Sequence, residues 1–421
     1  MLLRFRFSNF RSFLDEQELS MIAGSVSDHP EIVRHPPGIE EGVLPAAAIY
    51  GANASGKTNL LRAMQFVQTA VRDSQARWQP GQPIALEPFA GKSDVPSSFS
   101  VDFLLDSVRY QYGFTALPQA ILKEWLYAYP SGKKQTWFLR ERNKPISFSQ
   151  KLQGENRTIE RLTRPNSLFL SAGAQNNHKM LSRIYKWFSQ WWLLPEDEQV
   201  AIGQTARVLH GRSDLQRGLG RMLSLADLGI TDMDVQTSAV PAPAKEALEK
   251  LAELLKAPEI TSRVEEEMRE VRFFHRIGDA PVAFRVDQES KGTVAFFCLL
   301  LPVLVALTTG AVVWADELDR SLHPLLALDI IRMFTVPGNN RSSAQLIFNT
   351  HDTNLLSAGV LRRDQIWFTE KLRDGASRLY PLTDFKPRKE ENLENGYLQG
   401  RYGAIPFLNG DRFLAAIHEE K

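Results

Sequence analysis

The sequence predicts an α/β fold made of a mixed central sheet, an antiparallel β-meander and a helical insertion. Residues 46–75 read as a buried strand, a glycine-bearing turn and an amphipathic helix in succession. Residues 98–148 break into four short β-prone runs separated by turn residues. Residues 179–192 and 244–274 carry helical periodicity instead.

Taken in order, the chain opens with Leu3, Phe5 and Phe7 alternating with Arg4, Arg6 and Ser8, which predicts a strand over residues 3–13. The same alternation lacks the apolar core of a signal peptide, so no export is expected. A Pro/Gly/Glu-bearing stretch at 25–42 leads to an apolar strand at 44–50. After it, Leu60, Leu61, Met64, Phe66 and Val67 recur at helical spacing across residues 58–75. The runs 98–105, 109–116, 123–129 and 135–142 form the meander, with Pro130-Ser131-Gly132 as one of its turns. Residues 167–171 look strand-like. The helix predicted over 179–192 is rich in aromatics, and the one over 244–274 mixes leucines with Glu, Lys and Arg and is interrupted at Pro258.

Residues 294–315 contain no charged side chain and are long enough to cross a bilayer. Pro302 and the Thr308-Thr309-Gly310 break argue against a span. They divide the run into a helix at 294–307 and a β-branched strand at 312–315. A last apolar strand is predicted at 344–349.

With 421 residues and 43% hydrophobic side chains, the chain can build two or three domain-sized cores. Fifty basic and forty-nine acidic residues leave a net charge of +1, so the overall balance advertises neither nucleic acid nor an anionic membrane. The lone Cys298 excludes an internal disulfide and a cysteine-built metal site, and predicts a reducing, cytoplasmic setting.

The chemistry concentrates in Gly51-Ala52-Asn53-Ala54-Ser55-Gly56-Lys57-Thr58. Glycines at the ends of such a loop let backbone N–H groups close around phosphate oxygens at a helix N-terminus. Lys57 would neutralise the outer phosphates of ATP, and the Thr58 hydroxyl would help ligate magnesium. Asn59 follows in the first helical turn. A phosphate loop needs a carboxylate for the metal and a second group to orient water. Val312-Val313-Trp314-Ala315-Asp316-Glu317 supplies both at a strand end, with Asp316 as the magnesium residue and Glu317 as the base. Ser290-Lys291-Gly292-Thr293 opens the apolar helix, either as a second phosphate site or as a simple N-cap. His351, at the end of the 344–349 strand, can hydrogen-bond a γ-phosphate and the attacking water.

The order of these elements resembles the nucleotide-binding heads of ABC-type ATPases, including the RecF, SMC and OLD groups. In that resemblance, residues 51–58 match Walker A, 290–293 a variant signature motif, and 312–317 Walker B. Asp319 matches the D-loop residue and His351 the switch histidine. The Asn-Phe-Arg-Ser-Phe run at 9–13 resembles the group's opening strand, and Gln175 is the candidate Q-loop residue, touching nucleotide and magnesium. The resemblance implies a discontinuous head at 1–176 and 275–421, containing the β subdomain at about 98–148, with a helical insertion at 177–274. It also implies ATP and Mg2+ as ligands, and a homodimer or higher even-numbered oligomer, because the signature motif contacts ATP held by the opposing subunit.

The insertion has no long heptad repeat, so a coiled-coil arm is not expected. The residues after His351 lack the clustered acidic ligands of the OLD nuclease domain. The tail, from Asp364-Gln365-Ile366-Trp367-Phe368 to residues 396–406, resembles the stand-alone ATPases of abortive-infection loci, the RloA or AbiL type. That implies a regulator of a separately encoded effector, often a nuclease, with no membrane partner. A RecF-like DNA-maintenance ATPase is the alternative, with nucleic acid as partner.

Overall fold

The computed structural model describes residues 1–194, 197–240, 242–254 and 267–406. Alternation of apolar and polar side chains builds β1 (Leu2–Ser8), which buries Leu3, Phe5 and Phe7. The strand stops five residues before the predicted end. Asn9 and Arg11 take left-handed backbone (φ 49 and 50), and Phe10 and Phe13 exchange backbone hydrogen bonds of 2.8 and 2.9 Å across a tight turn.

β2 (Gln17–Ser20) and the fully buried β3 (Ala46–Gly51) follow, and β3 runs into helix α1 (Lys57–Asp73). The meander comprises β4 (Ser97–Leu105), β5 (Val108–Leu117), β6 (Ala120–Tyr129), β7 (Gln135–Glu141) and the short β8 (Ser147–Phe148). Helices α2 (Asn156–Leu162), α3 (Phe169–Gln175) and α4 (Lys179–Ser189) lead to β9 (Trp192–Leu193). Next come α5 (Glu198–Leu209), α6 (Ser213–Leu225), β10 (Ile230–Ala239), α7 (Ala242–Leu254), β11 (Glu267–Ile277) and β12 (Ala280–Arg285). Helix α8 (Lys291–Thr309), β13 (Val312–Ala315), α9 (Pro324–Thr335) and β14 (Gln345–Asn349) carry the chain back to the central sheet. It closes with β15 (Ile366–Lys371), β16 (Ser377–Pro381) and α10 (Leu393–Leu398).

The chain divides into two compact units. The first holds residues 1–193, 306–319 and 327 onward. Its central sheet, in the order β16-β15-β3-β14-β13-β9, is mixed: β15, β3, β14, β13 and β9 are parallel, and only β16 is antiparallel. Its second sheet is wholly antiparallel, in the order β2-β1-β4-β5-β6-β7-β8. Helix α1 buries Leu60, Leu61, Met64, Val67 and Val71, a stripe at three- and four-residue spacing. Phe66 meets Phe99 at 5.0 Å between ring centroids, while Trp187 of α4 stacks on Phe103 at 4.3 Å. The buried Gln345 amide ties the two sheets, donating to the carbonyls of Leu2 and Leu44 and accepting from the Leu2 N–H.

The second unit holds residues 194–305 and 320–326. It is not purely helical, because β10, β11 and β12 form an antiparallel sheet. Residues 267–274 were expected to be helical, yet Val271 and Phe273 are buried while Arg272 and Phe274 are partly exposed, the two-residue period of a strand. Cross-strand pairing, with Asp234 bound to Arg272 at 2.6 Å, holds that conformation. Pro258 lies outside the described residues. The predicted insertion boundaries also shift: α4 packs on the first unit's aromatic core, whereas β12 and most of α8 belong to the second unit.

Helix α8 retains Pro302 in its interior and ends before Gly310, so the predicted separation from β13 occurs at the Thr-Thr-Gly break. It is long and apolar enough to cross a membrane, but more than half of its apolar stretch is buried, as in a core helix. The tail's residues 366–371 and 377–381 are β-strands of the central sheet, with β15 inserted between β3 and β16.

Candidate nucleotide site

The site forms where the parallel strands β3, β13 and β14 end, the edge at which open α/β sheets place ligands. Register makes this meeting inevitable. Ala315 pairs with Phe348 and Asn349 with Ile49, so the residues following β13, the last residue of β14 and the loop after β3 become neighbours.

The loop itself is packed tightly. A Cβ on Gly51 would lie 2.5 Å from the Ser55 hydroxyl and from the Thr369 carbonyl, and one on Gly56 would lie 2.7 Å from Ser377 Oγ. Gly56 also has φ 118, a left-handed conformation that favours glycine. Ser55 and Thr369 share a 2.6 Å hydroxyl contact behind the loop, while Asn53 and Ala54 are exposed and Ala52 partly so. The buried Lys57 ammonium donates to the carbonyls of Gly51 (2.8 Å) and Ala52 (3.1 Å). Burial lowers its pKa below the ordinary lysine value, and Asp316, Glu317 and Asp319 push in the opposite direction.

Thr58 Oγ1 donates to Asp316 Oδ1 at 3.3 Å. The same carboxylate oxygen accepts from the Asn349 amide, whose own oxygen accepts the Glu317 backbone N–H. The Leu318 N–H bonds the Asn349 carbonyl at 3.1 Å. Asn349 therefore holds both members of the acidic pair, with Glu317 exposed and in left-handed backbone (φ 50). Such a conformation costs a non-glycine residue about 1–3 kcal/mol and persists only where its surroundings enforce it. Replacing the 1%-exposed Asn349 with alanine leaves Asp316 and the Glu317 N–H short of a partner. A stability loss of about 1–3 kcal/mol is expected, together with lower ATP turnover. Thermal unfolding and phosphate release read the two effects separately.

Asp319 Oδ2 accepts the His351 backbone N–H at 3.4 Å, which brings those two candidates to one corner with the His351 ring exposed. Asp319 Oδ1 is buried and has no hydrogen-bond partner among the described residues, an orphaned acceptor beside the site. Magnesium fits this set. It takes hard oxygen ligands, commonly one or two from protein with the rest from phosphate and water. Thr58 and Asp316 offer that pair, and among the described residues no cluster of three or more His, Cys, Asp or Glu competes for a metal.

Ser290, Gly292, Asn59 and Gln175 make contacts away from the Lys57–Asp316 junction. Ser290 Oγ accepts the Thr293 N–H at 3.1 Å and so caps α8, and a Cβ on Gly292 would lie 2.8 Å from the Ser321 carbonyl, so glycine is needed for close packing there. Asn59 is engaged with the 9–13 turn, donating to Ser12 Oγ at 2.8 Å and accepting from Arg11 at 3.2 Å. Gln175 is the clear correction. Residues 169–175 are helix α3, because the buried Glu124 carboxylate accepts the Phe169 and Leu170 N–H groups (2.6 and 2.9 Å) and satisfies a helix start. Ser171 Oγ of that helix accepts from the Gln75 N–H, just past the C-terminal end of α1, some 25 Å along its axis from Lys57 at ~1.5 Å per residue. Gln175, one turn on, sits with that distal end and does not reach the phosphate loop or Asp316.

Asn349 is the site residue that the sequence reading left without a role. Its signal was a polar residue closing the apolar run Leu346-Ile347-Phe348 at a parallel strand's C-terminal end.

A phosphate loop after the buried strand β3, with an acidic pair at the end of β13, a parallel strand of the same sheet one place beyond β14, defines a P-loop ATPase fold. The chain belongs to the family described as "AAA domain, putative AbiEii toxin, Type IV TA system", whose family model matches residues 46–357. No curated protein matches it. Similar solved structures include an Smc head bound to the C-winged helix domain of ScpA (13% identity, TM-score 0.41, covering 90% of this chain and 96% of that one). Another is the Smc head domain with a coiled coil and joint derived from Pyrococcus yayanosii (11% identity, TM-score 0.37, covering 92% of this chain and 99% of that one).

Proposed function

We propose that this chain is an ATP-driven switch whose two copies close around ATP and thereby regulate a separately encoded effector, such as a nuclease, in bacterial anti-phage defence. The observation that carries the reading is the junction of Thr58, Asp316, Glu317 and Asn349 at one sheet edge. The family's description, with its toxin–antitoxin wording, supports the defence setting. In the proposed reaction Lys57 and the loop N–H groups hold the phosphates, Thr58 and Asp316 hold magnesium, and bound magnesium neutralises phosphate charge. Glu317 takes the proton of the attacking water, and His351 hydrogen-bonds near it. Residues 290–293 act on ATP held by the opposing copy. Two bound nucleotides then favour the dimer, and hydrolysis reverses the preference. A cytoplasmic location belongs to this reading.

Mixing two inactive variants tests the shared site. Ser290→Asp keeps an N-capping side chain but repels phosphate, and Lys57→Ala removes the loop cation. Mixed together they should recover part of the ATP turnover through one composite site, and a complete absence of rescue would remove the trans reading. The second reading, a RecF-like DNA-maintenance ATPase, draws on the order of the phosphate loop, the 290–293 turn, the acidic pair and His351 along the chain. Salt-dependent affinity for duplex DNA by the isolated chain favours it, whereas co-purification with a neighbouring nuclease favours the effector reading.

A further inference from the structure

Residues 107–148, which form β5 to β8 and their turns, carry seven Lys/Arg against two Asp/Glu, a local charge of +5 in a chain whose total is +1. Glu124 is buried on the inner face, where Arg140 pairs with it at 3.4 Å, so the remaining six cations and Glu141 keep the local charge at +5. On β6, Trp125, Tyr127 and Tyr129 alternate with the buried Leu126 and Ala128, which puts all three rings on the outer face, partly exposed. Gly113 lies opposite Trp125, and a Cβ there would come within 2.3 Å of the indole, so the ring lies against bare backbone. The Trp125 and Tyr127 rings are 6.5 Å apart with planes 26° from parallel, forming a nearly continuous aromatic surface.

Cations border each ring. Arg109 lies 4.8 Å from the Tyr129 ring centre, Lys134 3.5 Å from Tyr127 and Lys123 5.9 Å from Trp125. Among the described residues Lys133, Lys134 and Arg142 make no ion pair and are free to meet an anion, while Lys123 faces the Glu141 carboxylate across the β6–β7 pair. We propose that this face binds single-stranded nucleic acid, with bases stacked on Trp125, Tyr127 and Tyr129 and phosphates on the surrounding lysines and arginines. Flat rings with interleaved cations match a ligand that alternates planar bases with negative charges. The 6.5 Å ring spacing is about twice the ~3.4 Å rise of a stacked strand, which calls for unstacked bases. An acidic protein would use the cations and leave the ring faces idle. The proposal stands whether or not the chain regulates an effector.

Fluorescence anisotropy of a labelled oligothymidylate with the full-length chain tests it. Saturable binding that weakens with salt is expected. The double variant Tyr127→Ala/Tyr129→Ala should weaken it by about 10-fold or more, and Tyr127→Phe should preserve it, because stacking needs the ring and not the hydroxyl. Lys133→Glu/Lys134→Glu should reduce the salt slope. Retained ATP turnover and far-UV circular dichroism show that each variant is folded. The proposal is overturned if the oligonucleotide shows no saturable binding, if the folded alanine variant binds like the parent, or if a duplex of the same length binds at least as tightly.

Discussion

Glu317→Gln is expected to lower ATP turnover by about 10²–10⁴-fold, the range associated with a positioned general base, while ATP still binds. The exchange keeps the shape of the side chain and its left-handed backbone, and the Glu317 N–H still reaches Asn349, so the fold of the strand end is preserved. Only the proton acceptor is lost. If two copies close around ATP, the variant should accumulate as an ATP-bound dimer, seen as a concentration-dependent shift in sedimentation that ADP does not produce. Unchanged turnover would sink the assignment of Glu317. Loss of turnover without any ATP-dependent dimer would leave the base in place and remove the switch.

Lys57→Ala should weaken ATP binding by roughly 10–150-fold, the equivalent of one hydrogen bond to a charged group. Its ammonium, held at 2.8 and 3.1 Å from the Gly51 and Ala52 carbonyls, is the cation at the mouth of the loop. Removing it also deprives those carbonyls of a donor, so a modest fall in thermal stability should accompany the loss of affinity. Titration calorimetry with ATP reads the first effect and a melting curve the second. Lys57→Arg separates them, because it keeps the charge but cannot reproduce the packing of the 7%-exposed lysine.

Parts of the site were legible because they are local. Strand, loop and helix at 46–73 are consecutive, and each has its own period or turn chemistry, so Gly51 to Thr58 could be read without knowing the fold. Asp316 and Glu317 announced themselves in the same way, at the end of an apolar run. Asn349 did not, since its importance comes from a register in which Ala315 faces Phe348, and register between parallel strands far apart in sequence is set by packing. The misplaced Gln175 has a matching cause. Its neighbourhood looked strand-like, and a distant carboxylate, Glu124, decided for helix.

The second unit shows the same division. Residues 267–274 contain both charged and apolar side chains that suit a helix, and only pairing with β10 and β12 makes them a strand. The basic aromatic face was equally hidden, because overall neutrality masks a +5 sector and alternation along β6 acquires meaning only when the sheet assigns one face to the core.

By itself the sequence determined the elements whose instructions are short-ranged: the phosphate loop, the acidic strand end, the meander and the absence of a long heptad. Tertiary structure alone decided which distant groups meet. It placed Asn349 between Asp316 and Glu317, His351 beside Asp319, and Glu124 beneath α3. The physical reason is that helix and strand periods are written in a few consecutive residues, whereas the contacts named above join groups 32 to 45 residues apart and are fixed by sheet order and burial.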